Sequence, residues 1–389
     1  MKFSCNTQDF LQALQLVSRA IGSQQALPIL GNILMVVEGK RCTVSATDLE
    51  LSIITSFEAK IENEGSITIP ARAILNFAQY NTDTEVLLET SEGTQLKCTS
   101  KHAKTLIAGE AASEYPTITP VEKQTSFSME AAPLLNALDL VTFASAKNAL
   151  RPVLSGVYFR SEKGKLILVA TDSYRLSEYT IPTEGGDVDI SCIIPVKILE
   201  ELRAILSGKK DKEKKGKEKD DDEKKESAKM PARVEATLSK QQIELQVGGT
   251  KLLSRLIDGK FPDYQQIIPK ESVTKSQFPV KDLITAVRRM HYFAKETNNN
   301  LTFHLKGEQA RVVTQQTQVG KDEALIGIET TGEENKIALS SSYLLDFLSH
   351  VQGDTVEMQV TDSMHPAVFS VPKDALFLHL IMPLRMQEE

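Results

Sequence analysis

Two aspartates recur in matching surroundings, Ala46-Thr47-Asp48-Leu49 and Ala170-Thr171-Asp172-Ser173. A carboxylate at a strand end can act as a general acid, so a hydrolase or transferase using Asp48 or Asp172 is one reading. The other is that each aspartate accepts backbone N–H bonds and fixes a turn. The remaining chemistry-bearing residues favour the turn. The six histidines (His102, His291, His304, His350, His365, His379) form no His-x-x-x-His pair and no His-Glu-x-x-His helix. The four cysteines (Cys5, Cys42, Cys98, Cys192) lie far apart with no Cys-x-x-Cys, so they read as reduced structural thiols. The sequence has no Gly-x-x-x-x-Gly-Lys-Ser/Thr loop and no Gly-x-Gly-x-x-Gly turn. No catalytic residue, metal or cofactor is implied.

The elements that must position these residues come from a repeat. Ala46 to Ser52 recurs as Ala170 to Ser177, and Ser66-Ile67-Thr68-Ile69-Pro70 recurs as Ser191-Cys192-Ile193-Ile194-Pro195. The spacing is about 125 residues, and a fainter third copy begins at Lys336-Ile337-Ala338-Leu339-Ser340. The last interval is longer by about 20 residues because of a Lys/Asp/Glu run from Lys209 to Lys229, which has too little apolar surface to offset its ordering entropy. Three copies of one domain are expected, over 1–122, 123–270 (carrying the insertion 209–229) and 271–389.

Each copy opens with an amphipathic helix: Phe10, Leu14, Val17 and Ile21, capped by Asn6 or Thr7; then Leu134, Leu138 and Val141; then Leu283, Val287 and Met290. A second helix follows each Ile-Pro-like strand end, over Ala71 to Tyr80, Val196 to Leu206 and Ser341 to Val351. Strand periodicity lies between, as in Gly164 to Ala170 and Lys251 to Ile257. Tyr115-Pro116 and Phe261-Pro262-Asp263-Tyr264 read as domain-closing turns. The fold class is α+β, with two helices packed on antiparallel sheet in each copy.

With 389 residues, 41% hydrophobic and 25% charged, the chain has the composition of a multidomain globular protein. Its start lacks a secretory pattern, and its longest apolar stretch, near Leu27 to Val37, is too short to cross a bilayer. A cytoplasmic location away from membranes is expected. The net charge of −7 argues against nucleic acid unless the basic residues are gathered on one face.

Met1-Lys2-Phe3, Leu27-Pro28-Ile29-Leu30-Gly31-Asn32, Ala46-Thr47-Asp48-Leu49-Glu50, Val169 to Leu176, Asp258-Gly259-Lys260-Phe261-Pro262-Asp263-Tyr264 and Ile381-Met382-Pro383-Leu384-Arg385 occur in that order along the chain. In these motifs the chain resembles the bacterial β sliding clamps. The resemblance implies a non-catalytic processivity subunit: a head-to-tail homodimeric ring around double-stranded DNA that reads no sequence. It implies partners, too: the replicative polymerase, the clamp loader, a translesion polymerase and mismatch-repair proteins, all docking through a short linear motif.

Carried over residue by residue, the resemblance puts the peptide pocket at Leu154, Thr171, Ser173, Tyr174, Arg175, Leu176, Pro262, Gln266, Ile267, Asn298, Met364, Pro366, Leu380, Met382, Pro383 and Leu384. Arg19, Gln24, Arg72, Lys147, Arg151, Lys197, Arg203, Lys281, Arg288 and Arg289 would face DNA, and Thr105 and Ile107 would meet Tyr292 and Phe293 of a partner. The chain departs from familiar members where Asn298 replaces an aromatic residue, Gln266 replaces a basic one, and Pro152 and Val153 replace a tyrosine pair beside Arg151. A monomeric peptide-binding scaffold that ignores DNA is the remaining alternative.

Because the Lys209 to Lys229 run carries almost no apolar side chain, its deletion is expected to leave the melting temperature unchanged; a large fall in a thermal scan would contradict that reading.

Overall fold

The computed structural model describes residues 1–22, 27–91, 94–147, 150–182, 189–208, 233–372 and 374–386. The charged run and Gln24 lie outside them. Six α-helices occur among the described residues: α1 (Thr7–Ser18), α2 (Ala71–Tyr80), α3 (Ala131–Val141), α4 (Val196–Leu206), α5 (Val280–Ala294) and α6 (Ser341–His350). These match the expected helices to within a few residues. The chain gathers into two compact units, Met1–Ala131 with Lys197–Leu256, and Ala132–Val196 with Ile257–Glu389. The central copy is thus divided between them.

The cause is strand pairing. In the first unit an eight-stranded antiparallel sheet runs in the order Thr125–Glu130, Arg233–Leu238, Gln242–Val247, Thr250–Arg255, Leu51–Glu58, Arg41–Thr47, Asn32–Glu38, Gly65–Pro70. Its first four strands come from the central copy and its last four from the first. They join where Leu252 faces Ile53 and Ser254 faces Leu51, and the Thr55 and Thr250 hydroxyls meet at 3.0 Å. A five-stranded sheet, Lys60–Asn63, Lys2–Asn6, Glu85–Ser91, Gln95–Thr99, Lys104–Ala108, completes the unit.

In the second unit a nine-stranded sheet runs Ser191–Pro195, Gly156–Glu162, Lys165–Thr171, Arg175–Pro182, Asp374–Ile381, Ala367–Val371, Thr355–Val360, Thr274–Pro279, Glu329–Gly332. Here the join sets Arg175 opposite Ile381 and Leu176 opposite Leu380. The companion sheet is Glu323–Gly327, Gln309–Val313, Asn300–Lys306, Asn335–Ser340.

Local sequence accounts for these elements. Leu51–Glu58 alternates buried and half-buried side chains, the period of a strand with one face on a core. That core is supplied by α1, which packs on this strand and on α2, with Phe10 and Phe57 edge to face at 5.9 Å. Asn6 caps α1, its Oδ1 accepting the N–H bonds of Gln8 (2.8 Å) and Asp9 (3.3 Å). The helix stops at Ser18, so Ile21 lies past its end and Ala20 takes the next buried position. Pro70, Pro195 and Pro279 each end a strand directly before a helix, where a fixed φ and a missing N–H cost nothing. In the second unit α5 packs against α6.

A buried histidine of the second unit bears on stability. His379 is fully enclosed, stacked on Phe347 (4.7 Å, 3°) and flanked by Phe143, Phe369 and Phe377. Its Nδ1 meets the Ser177 hydroxyl at 2.7 Å. Burial, reinforced by the charges of Arg175 and His350, holds its pKa well below the ordinary 6.5. The fold therefore favours neutral imidazole and the unfolded chain binds the proton more readily. Stability from this group is complete above the ordinary pKa and is lost as pH falls below it. Thermal scans between about pH 7 and about pH 5 should show a smaller loss of melting temperature for His379→Gln than for the parent chain; equal losses would show that His379 does not carry the effect.

Candidate functional site

The two Asp-containing loops are the same turn built twice. Asp48 Oδ1 accepts the N–H bonds of Glu50 (3.0 Å) and Leu51 (2.8 Å), and Asp172 Oδ1 accepts those of Tyr174 (2.9 Å) and Arg175 (3.0 Å). The preceding threonines match as well, Thr47 bonding the Leu51 carbonyl and Thr171 that of Arg175. Leu49 (φ 77°) and Ser173 (φ 78°) both take the left-handed conformation that side chains resist, over-determined by these bonds. Burial raises the Asp48 pKa, but bonds from Lys197 and from the Leu51 and Glu50 amides outweigh it and leave the carboxyl below its ordinary value. A carboxylate so held is a poor general acid at neutral pH, which suits the turn reading.

Beside the second loop lies an apolar cluster within the second unit. Leu154, Ile167, Val169, Leu176, Ile193, Phe261, Tyr264, Val368 and Leu380 are buried together, with Val153, Ile257 and Ile268 packed against them. Close to its members along the chain are large apolar groups open to solvent: Tyr174 (61% exposed), two residues before Leu176; Ile267 (41%), next to Ile268; and Met364 (82%), four residues before Val368. Met364 is presented by a short turn in which Asp362 Oδ1 accepts its N–H at 2.7 Å and that of His365 at 3.0 Å. The half-buried run Met382 to Leu384 is tied down by Met382 N–H to the Tyr174 carbonyl and Leu384 N–H to the Ala338 carbonyl, each 2.8 Å. Pro262 and Gln266 are exposed beside it, and Gln266 donates to Asp263 at 2.6 Å.

The expected pocket set thus divides by role. Leu154, Leu176 and Leu380 belong to the buried cluster, Pro366 is buried, and Tyr174, Ile267 and Met364 are exposed. Thr171 and Arg175 are buried polar groups whose bonds are spent on the protein itself. Asn298 is explained by backbone: with φ 56° it ends the turn of helix after α5, a position suited to asparagine. α6 supplies an aromatic group that the expected set did not include. Tyr343 stacks on Tyr174 (6.3 Å, 17°), and its signal was Tyr343 on the first turn after the third copy's strand end.

The cations expected at DNA are of two kinds. Arg72, Lys147, Arg151, Lys281 and Arg288 are exposed. Arg19 is paired with Glu201, Lys197 with Asp48, and Arg289 with both oxygens of Asp322 at 2.8 and 3.0 Å. Arg203 is half-buried on α4.

At the sheet edges Lys104–Ala108 ends one small sheet and Glu323–Gly327 the other. Ile107 is buried in its own sheet because alternation turns Leu106 outward (57% exposed), and Leu325 is likewise outward (59%). Thr105 is half-buried on the same strand. Tyr292 (67% exposed) meets Phe293 edge to face at 5.4 Å on α5.

Burial pushes the thiols of Cys5, Cys98 and Cys192 up to about 12, out of the reactive range. No group of His, Cys, Asp and Glu able to hold a metal occurs among the described residues, and no described helix is long and apolar enough to cross a membrane.

Three family models match the chain in succession. Residues 1–119 match the family model of the DNA polymerase III beta subunit N-terminal domain, 128–214 that of its central domain and 265–385 that of its C-terminal domain. The beta sliding clamps of Haemophilus influenzae and Synechocystis are 28% and 27% identical, each matched over 99% of this chain and 100% of the relative. Among solved structures, the sliding clamp of Bacillus subtilis has a TM-score of 0.88 at 26% identity, covering 100% of both chains. That of Bartonella birtlesii, bound to griselimycin, has 0.89 at 27% identity, covering 99% of this chain and 100% of that one. The chain belongs to the DNA polymerase III beta subunit family, the beta sliding clamps of DNA replication.

Proposed function

We propose that this clamp works as a homodimeric ring around duplex DNA and is not itself a catalyst. The thirds 1–122, 123–270 and 271–389 are its three domains, and the ring closes head to tail. The edge strand Lys104–Ala108 of one protomer continues the sheet at Glu323–Gly327 of its partner, with Tyr292 and Phe293 beside the joint. Two open edges, each with one outward leucine, Leu106 and Leu325, support that joint.

Exposed cations on the helices and adjoining loops, Arg72, Lys147, Arg151, Lys281 and Arg288, give backbone contacts without base reading, as sliding requires. Arg19, Lys197, Arg203 and Arg289 add charge to the same faces, within ion pairs for Arg19, Lys197 and Arg289. The location is the cytoplasm, where the DNA is.

The apolar cluster under Tyr174, Ile267 and Met364 is a docking pocket for a short linear motif, shared in turn by the replicative polymerase, the clamp loader, a translesion polymerase and mismatch-repair proteins. The observation that carries this is one buried apolar cluster whose chain neighbours Tyr174, Ile267 and Met364 are large, apolar and exposed, which costs solvation unless something covers them.

Fluorescence anisotropy with a labelled Gln-Leu-Ser-Leu-Phe peptide is expected to give an affinity on the order of micromolar. The Tyr174→Ala, Met364→Ala double variant, altered only in exposed side chains, should bind at least about tenfold more weakly. Retention on circular DNA, released when the circle is cut, tests the ring. Unchanged peptide binding by the double variant would sink the pocket, and equal retention on linear DNA would sink the ring.

A further inference from the structure

Arg175 is the most elaborately held side chain near the pocket. It is 4% exposed and donates from Nε to Asp172 at 3.1 Å, from Nη1 to Asp346 at 2.8 Å and from Nη2 to the Phe143 carbonyl at 2.8 Å. Its guanidinium carbon lies 4.9 Å from the centre of the Tyr343 ring and 5.4 Å from that of Phe143. Tyr343 in turn stacks on Tyr174, whose carbonyl accepts the Met382 N–H.

The turn itself does not need this arrangement. In the first unit the same Thr-Asp turn, with the same bonds and the same left-handed residue, has Leu51 where Arg175 stands. Nor does the aspartate of the turn lack a role without it, since Oδ1 of Asp172 already holds two backbone amides. The arginine, the second carboxylate from α6 and the two tyrosines are present only at the loop that borders the apolar cluster. Burying a guanidinium is costly unless its donors are paired, so its retention beside half-buried Tyr343 and exposed Tyr174 points to a task in ordering that pair.

We propose that Asp346 is a positioning residue of the pocket. By fixing the Arg175 guanidinium it sets the plane of Tyr343, and through it the plane of the exposed Tyr174 that an incoming peptide meets. Asp346 touches neither tyrosine's outer face nor the ligand; it acts through Arg175. The inference rests on the pocket reading above.

Two measurements on the full-length chain separate the two. The first is peptide anisotropy for the parent, Asp346→Ala and Asp346→Glu. Loss of one charge-assisted hydrogen bond should weaken binding about fivefold in Asp346→Ala, with recovery in Asp346→Glu. The second needs no peptide. With 3-fluorotyrosine incorporated, the ¹⁹F resonances of Tyr174 and Tyr343, assigned with Tyr→Phe variants, should both move in Asp346→Ala and return in Asp346→Glu, while those of Tyr115 and Tyr80 stay in place.

Unmoved Tyr174 and Tyr343 resonances overturn the proposal, as does full affinity in Asp346→Ala. Moved resonances together with weakened, rescuable binding support it. If the parent binds no peptide, the pocket reading fails, and the proposal that Asp346 positions a binding surface falls with it even where the resonances move. A general loss of structure would shift Tyr115 as well and would count against positioning.

Discussion

Everything in this molecule depends on two strand joints made of backbone hydrogen bonds between successive copies of one domain. A single copy would leave an open sheet edge at Leu51–Glu58 or at Arg175–Pro182, with a row of unsatisfied N–H and C=O groups. Pairing with Thr250–Arg255 and with Asp374–Ile381 satisfies both edges within the chain. The joints also explain why the central copy is divided between two compact units: its strands are committed to the neighbours' sheets. Duplicated sequence has become continuous sheet, and the loop beside each joint is thereby fixed in place.

The two joints began with the same turn and have been put to different use. At the first, Tyr115 is buried and its hydroxyl accepts the Thr47 N–H at 3.1 Å and donates to the Asn32 carbonyl at 3.3 Å, so the loop is filled from within. Its phenol is accordingly pushed up to about 12 by burial. At the second, the corresponding turn supplies Phe261, which has no hydroxyl, stacks on Tyr158 at 5.0 Å and joins a buried apolar cluster. One joint is closed by its own tyrosine; the other presents an apolar surface. Internal repetition thus supplied a spare copy of a structural element on which a binding surface could be built.

Much of this was legible in the sequence because it rests on local rules. The repeated Thr-Asp turn, the prolines before α2 and α4 and the apolar spacing of Leu134, Leu138 and Val141 act within one element, so period and residue type sufficed. What was not legible needed partners distant in sequence. Ile107 against Leu106 is decided by the phase of one strand against a core that the sequence does not locate. Tyr343, which the expected set omitted, meets Tyr174 only through folding, from far along the chain. Asn298 itself answers to a left-handed backbone.

The cations show the same limit in electrostatic form. Counting Lys and Arg on helices treats each as a free charge, but Arg19 with Glu201, Lys197 with Asp48 and Arg289 with Asp322 are pairs whose long-range field largely cancels. Arg72, Lys147, Arg151, Lys281 and Arg288 are exposed, as is the paired Arg289. For a sliding protein this economy is consistent. Each additional phosphate neutralised raises affinity steeply and so slows movement, whereas a closed ring keeps its hold by topology and needs only enough charge to centre the duplex. On the proposed ring reading, an acidic protein with a net charge of −7 can serve as a DNA clamp, because closure of a ring, and not the sum of its charges, would set its grip on DNA.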